Sequence, residues 1–206
     1  MSRKYFMFLA AASVSAFATC AMAAGTLDLA VRGRAPEYVI LRAADASPSV
    51  VYVETTVISD ATALPTSDLT IAGRQMATRE WWKTAADRFD LFSSTVVSQE
   101  VRRGDPEAAQ RRIEALRGIP ELVADSRAVD LSIKLIEGGA VPREYPDDAL
   151  HIATAALNAM DYLVSWNFKH ITNAQTIPLI RRICEANGYR CPEICTPMML
   201  QKGDAP

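Results

Sequence analysis

Four polar residues stand where a chain of alternating strands and helices would gather its chemistry: Glu54, Glu100, Asp148 and Asn167. Glu54 closes the apolar, β-branched run Val50-Val51-Tyr52-Val53, and Glu100 lies on a short helical segment after a second strand. Asp148 follows Pro146 in the first turn of a helix, where the positive helix end keeps a carboxylate ionised. Asn167 follows Tyr162-Leu163-Val164 by way of Ser165 and Trp166. Three carboxylates brought together repel one another unless a cation sits among them, so their convergence calls for a hard divalent ion with oxygen ligands, Mg2+ or Mn2+. Such an ion polarises a phosphoryl oxygen and lowers the pKa of bound water, so phosphodiester hydrolysis needs no serine or cysteine nucleophile. Taken singly, an acid at a helix start is a cap and a mid-helix glutamate a solvated charge. Their shared placement at strand ends sets these residues apart.

The elements that must position them alternate. Val50–Val53, Asp90–Ser94, residues 120–123 and residues 161–165 read as strands, with a short last one near Ile194. Helices are expected over residues 67–88 with Ser67 as cap, from Ser94 or Thr95 to a stop at Gly104, and onward from Asp105-Pro106. Three more are expected over Ser126–Glu137, residues 146–160 and residues 177–187, the last closed by Gly188. Strands and helices on this spacing imply an α/β fold with a mostly parallel sheet covered on both faces, and in such sheets functional groups collect at the carboxyl ends of the strands.

The segments Tyr52-Val53-Glu54-Thr55-Thr56-Val57-Ile58, Ser98-Gln99-Glu100-Val101, Asp148-Ala149-Leu150-His151-Ile152-Ala153 and Leu163-Val164-Ser165-Trp166-Asn167-Phe168-Lys169-His170 occur in this order. Together they resemble the PIN domain, and within it the VapC-type toxins of type II toxin–antitoxin systems, over residues 50–200. The resemblance implies a three-layer α/β/α fold and a Mg2+-dependent ribonuclease selective for single strands. It puts the family's first three acids at Glu54, Glu100 and Asp148, its fourth acidic position at Asn167, and its small hydroxyl residue at Thr56. It also implies a cytoplasmic protein whose partners are single-stranded or structured RNA, a cognate antitoxin protein and a second copy in a homodimer. Two departures bear on the chemistry. Glu54 reaches one methylene further than the usual aspartate, and Asn167 brings no full charge, which disfavours a second metal ion.

Neighbouring residues have bland readings beside sharp ones. Asp147 is expected as the cap of its helix or as a supporting group, and His151 as a hydrogen-bonded core residue rather than a phosphate contact. His170 is expected at the rim or the surface. Arg102 and Arg103 sit beside Glu100 and offer weak RNA contacts, whereas Arg111, Arg112 and Arg117 alternate with glutamates as a solvated face would. Of Trp81 and Trp82, one at most faces the core. Asparagine at position 167 leaves open a binding module of the same fold with weakened chemistry.

With 206 residues, 24 acids and 22 bases, the chain is no polycation coating nucleic acid through bulk charge, so any such contact must be local. Residues 1–24 stand apart. Ser2-Arg3-Lys4 precedes an uncharged run from Tyr5 to Leu27, with Ala21-Met22-Ala23 as a cleavage-like end. An export signal ending near Ala23, a retained membrane anchor and a misassigned start are three readings of that leader. Residues 25–49, with Gly25, Gly33, Pro36 and Pro48, read as a linker, and residues 201–206 as a tail. Beyond Cys20 in the leader, Cys184, Cys191 and Cys195 form an odd set with no histidine nearby to complete a zinc site, and read as small buried or half-buried thiols.

Overall fold

The structure is a computed structural model and describes residues 48–201, which lie within the unit Pro48–Pro206. The expectations for the leader, for all but the last two residues of the linker, and for the tail past Gln201 lie outside the described residues.

Five parallel strands form the sheet: β1 (Val50–Val53), β2 (Asp90–Ser94), β3 (Glu121–Leu122), β4 (Tyr162–Val164) and β5 (Glu193–Cys195), in the spatial order β3-β2-β1-β4-β5. All four residues of β1 are buried, as expected of a central strand covered on both faces. Among the described residues, seven helices connect the strands: α1 (Thr55–Thr62), α2 (Leu69–Arg88), α3 (Thr95–Glu100), α4 (Pro106–Ala115), α5 (Ser126–Glu137), α6 (Pro146–Leu157) and α7 (Ile177–Ala186), and a 3-10 turn follows β5 at Pro197–Leu200.

The strand order determines the layers. From β1 the chain moves outward through β2 to β3, then returns across the sheet to β4 and β5 on the far side. Right-handed crossovers put the helices of the outward journey on one face and those of the return on the other. The packing agrees, since α1 rests on α2 and α4, while α5 rests on α6 and α7. The result is the α/β/α arrangement anticipated from the alternation. It creates a switch point between β1 and β4, where chain connections leave in opposite directions, the place at which open sheets of this kind gather their functional groups.

Three local expectations are corrected. No helix was expected at Thr55–Thr62, because Thr55, Thr56, Val57 and Ile58 include β-branched residues of low helix propensity. The helix forms because the Glu54 side chain caps it and because Val57 and Ile58 are fully buried, so packing overrides propensity. The cap of α2 is Asp68 rather than Ser67, with Asp68 Oδ1 accepting from the amides of Thr70 and Ile71 at 2.9 and 3.0 Å. The cap position of α6 belongs to Tyr145, which puts Pro146 at the first helical position and Asp147 inside the helix.

Candidate active site

Glu54 leaves β1 and turns at once into α1, so its carboxylate faces the switch point with 3% of the residue exposed. It accepts hydrogen bonds from the Thr56 hydroxyl, from the Thr56 amide at 3.1 Å, and from the Ser165 hydroxyl at 2.8 Å. The Trp166 amide donates to Thr56 Oγ1 and the Asn167 amide to Ser165 Oγ, both at 2.9 Å. These hydroxyls stitch the exit of β1 to the exit of β4.

Glu100 is the last residue of α3. Its Oε2 accepts from the Thr55 hydroxyl and lies 2.9 Å from His151 Nε2. His151 is fully buried on α6, and its Nδ1 lies 2.7 Å from the Tyr52 hydroxyl, which lies 2.6 Å from Ser94 Oγ. A buried polar chain therefore runs Ser94–Tyr52–His151–Glu100. Asp148 is half-buried in the first turn of α6 and hydrogen-bonded to the Asn167 side chain. Asn167 Oδ1 accepts from the His170 amide at 3.1 Å, which leaves the Asn167 side-chain NH2 to donate to Asp148.

The acids differ electrostatically. Burial pushes Glu54 above the usual carboxylate range, and neither the attraction of His151 nor the Thr56 and Ser165 hydroxyls offset it. Burial acts in the same direction on Glu100, but there the direct bond and charge of His151, the Thr55 hydroxyl and Arg103 outweigh it and leave the carboxyl low. Burial raises Asp148 against the pull of Asn167 and of the two histidines. For His151, burial opposes protonation, yet the Glu100 bond and the charges of Glu54, Glu100 and Asp148 win and raise it. Once protonated, both ring nitrogens donate, to Glu100 and to the Tyr52 oxygen, so the Tyr52 proton goes to Ser94. Burial also lifts the Tyr52 hydroxyl far above its usual range, so it stays neutral.

Among the described residues, one ligand atom each from Glu54, Glu100 and His151 lies within 4.8 Å of the other two, a set able to hold a metal ion. Asp148 stands beside that set on the same helix as His151, one turn earlier, close enough for Glu100 to raise it. Thus Glu54 and Glu100 come together, Asp148 and Asn167 form an adjoining pair, and Thr56 holds Glu54. His151, read from sequence as a core histidine, is in the core and also in the cluster. Its three-residue spacing from Asp148 on α6 was the signal that it shares a face with that acid.

Other candidates fall outside the cluster. Asp147 does not cap α6 but pairs with Arg103 at 3.1 Å, with both side chains substantially exposed. Arg102 is exposed beside it. Arg112 donates to the carbonyls of Val101 and Arg103, Arg111 to that of Thr62, and Arg117 pairs with Glu114, so these three serve local structure. Trp81 is buried and Trp82 half-buried. The His170 ring stacks on Tyr145 at 4.0 Å, and its Nε2 is buried with no hydrogen-bond partner.

Comparison with known proteins adds little. No family model and no curated protein matches the chain. Among solved structures, a match is found to VapBC2 from Rickettsia felis bound to a DNA fragment from their promoter, at 14% identity and a TM-score of 0.44, covering 62% of this chain and 94% of that one. A likeness at that level says nothing about individual residues, and the site stands on its own geometry.

Proposed function

We propose that the chain is a divalent-metal-dependent endoribonuclease of the PIN type, working as the toxin of a toxin–antitoxin pair. The observation that carries this reading is the meeting of Glu54, Glu100 and His151 at the switch point, with Asp148 one turn away. The donors suit a hard cation. Glu54 is buried among neutral donors, and among the described residues no lysine or arginine forms an ion pair with Glu54, Glu100 or Asp148. Glu54, Glu100 and Asp148 would hold Mg2+, or Mn2+, and the ion supplies Lewis-acid activation of a phosphodiester and of water.

The remaining work falls to the chain itself. Thr56 and Ser165 aim the Glu54 carboxylate, His151 and Thr55 fix that of Glu100, and Asn167 orients Asp148. Asn167 in the fourth acidic position favours a single ion. Arg102 and Arg103 at the end of α3 would meet RNA phosphates through charge-assisted bonds. The antitoxin partner, the homodimer and the cytoplasmic location belong to the same proposal, and an exported protein is the alternative if the leader is cleaved near Ala23.

Purified protein should cut a single-stranded RNA with Mg2+, lose cutting with EDTA, and lose it in Asp148→Asn and Glu100→Gln proteins of unchanged fold. Metal-independent binding of RNA without cutting would instead support the weakened binding module that Asn167 leaves open.

A further inference from the structure

Among the described residues, the cysteines lie at the far edge of the sheet, on α7, the turn after it and β5. Cys184 sits in the last turn of α7 with none of its surface exposed, and its carbonyl accepts from the amides of Asn187 and Tyr189 at 3.1 and 3.0 Å. Gly188 adopts φ +81, a left-handed conformation that turns the chain back over the helix end. That reversal brings Cys191 against Cys184, and the two thiols are hydrogen-bonded to each other. Cys191 is half-buried and Cys184 buried. Arg181, one turn before Cys184, pairs with Glu193 at 3.0 Å and stands close enough to Cys191 to favour its thiolate.

These features assign the two sulfurs unequal parts. The hydrogen bond from Cys184, then the Arg181 charge, outweigh burial and hold the Cys191 thiol below its usual value. The same hydrogen bond and burial hold Cys184 well above it. Cys195 lies in β5, where burial pushes its thiol up to about 12, which leaves it unreactive.

We propose that Cys184 and Cys191 form a redox pair that closes into a disulfide on exposure to peroxide, with the half-buried Cys191 as the attacking thiol and the buried Cys184 as the resolving one. The Cys191 thiolate attacks one oxygen of hydrogen peroxide and breaks the O–O bond. It becomes a sulfenic acid, and the leaving hydroxide takes up a proton to give water. Cys184 then attacks the sulfenic sulfur, its thiol proton leaves with the hydroxyl as a second water, and the S–S bond forms. Two thiols are oxidised and one peroxide is reduced to two waters. The bridge ties the end of α7 to the turn entering β5, the edge strand whose Cys195 carbonyl accepts from the Ser165 amide at 3.0 Å. The proposal does not depend on the nuclease reading.

The test uses the full chain. After treatment with peroxide and capping of free thiols by an alkylating agent, trypsin cuts after Arg182 and Arg190, leaving the two cysteines on separate peptides, 183–190 and 191–202. Those peptides should appear joined, two hydrogens lighter than their sum, and separate on reduction. The link should vanish in Cys191→Ser and persist in Cys195→Ala. A link lost in Cys195→Ala, a link kept in Cys191→Ser, or both peptides fully alkylated or over-oxidised without joining would each overturn the proposal.

Discussion

Glutamates occur in two settings in this molecule. On the helix surfaces, Glu80, Glu114 and Glu137 each pair with a cation three residues away, Lys83, Arg117 and Lys134, at 3.0, 2.9 and 3.3 Å with both partners well exposed. At the switch point, Glu54 has only neutral hydrogen-bond donors and the nearby His151, and Glu100 shares that one histidine. Surface charge is compensated locally and contributes little. The switch-point charge is compensated incompletely and in a buried place, which is tolerable only where function requires it or a cation completes it.

The sharpest way to break that contrast is to remove charge without changing shape. Glu54→Gln, Glu100→Gln and Asp148→Asn should each lower Mg2+-dependent RNA cleavage by about 100-fold or more, a loss of about 3 kcal/mol of transition-state stabilisation, read as single-turnover rates. Cleavage unchanged by any two of these would leave the cluster structural.

The next largest effect concerns the ion and pH. Folded Glu54, Asp148 and His151 all hold protons more tightly than their ordinary values of 4.5, 3.8 and 6.5. Each therefore adds stability at pH below its ordinary value, and that stability is lost as pH rises through the folded value. Glu100 acts oppositely, adding stability above 4.5 that is lost on acidification through its lowered value. In EDTA the melting temperature should thus decline from mildly acidic to neutral pH. Mg2+ at about a hundred times its Kd should restore about 2.7 kcal/mol, and the gain should grow with pH because the ion displaces protons from Glu54 and Asp148. A melting curve indifferent to Mg2+ at neutral pH would remove the need for a cation.

A smaller effect probes the buried chain behind Glu100. Tyr52→Phe keeps the ring but strips His151 Nδ1 and Ser94 of their shared partner, and should cost about 1–3 kcal/mol in urea denaturation. Smallest of all, Lys83→Ala on α2 should change stability by under about 0.5 kcal/mol. Equal losses in these two variants would erase the distinction between the settings.

Much of this was legible in the order of residues, for a physical reason. Fully buried strands announce themselves as β-branched runs, so β1 and β4 were placed within a residue or so, and a strand of a parallel sheet ends where its chemistry begins. Glu54 and Glu100 followed from that rule. Less legible was whatever depends on tertiary packing against local preference. The threonine-rich start of α1 hides a helix whose cap is the same carboxylate that serves the site. His151 enters the cluster because Tyr52, 99 residues away, takes its second nitrogen. Asp147 lost its capping role because Pro146 already occupied the first helical position behind Tyr145. The pairing of Cys184 with Cys191 depends on a turn at Gly188 whose direction sequence spacing does not convey.

The central position of β1 has a consequence for synthesis. Its residues pair with β2 on one side and with β4 on the other, in the register Tyr52↔Phe92 and Tyr52↔Leu163. The acids are spread from Glu54 to Asp148, and Glu54 takes its Ser165 bond only once β4 has docked. Contacts this distant along the chain form late and slowly. A ribosome that has exposed β1, α3 and α6 but not β4 carries the acids without the strand that completes their surroundings, so under the proposed nuclease function the site assembles only after Ser165 has emerged and folded into place.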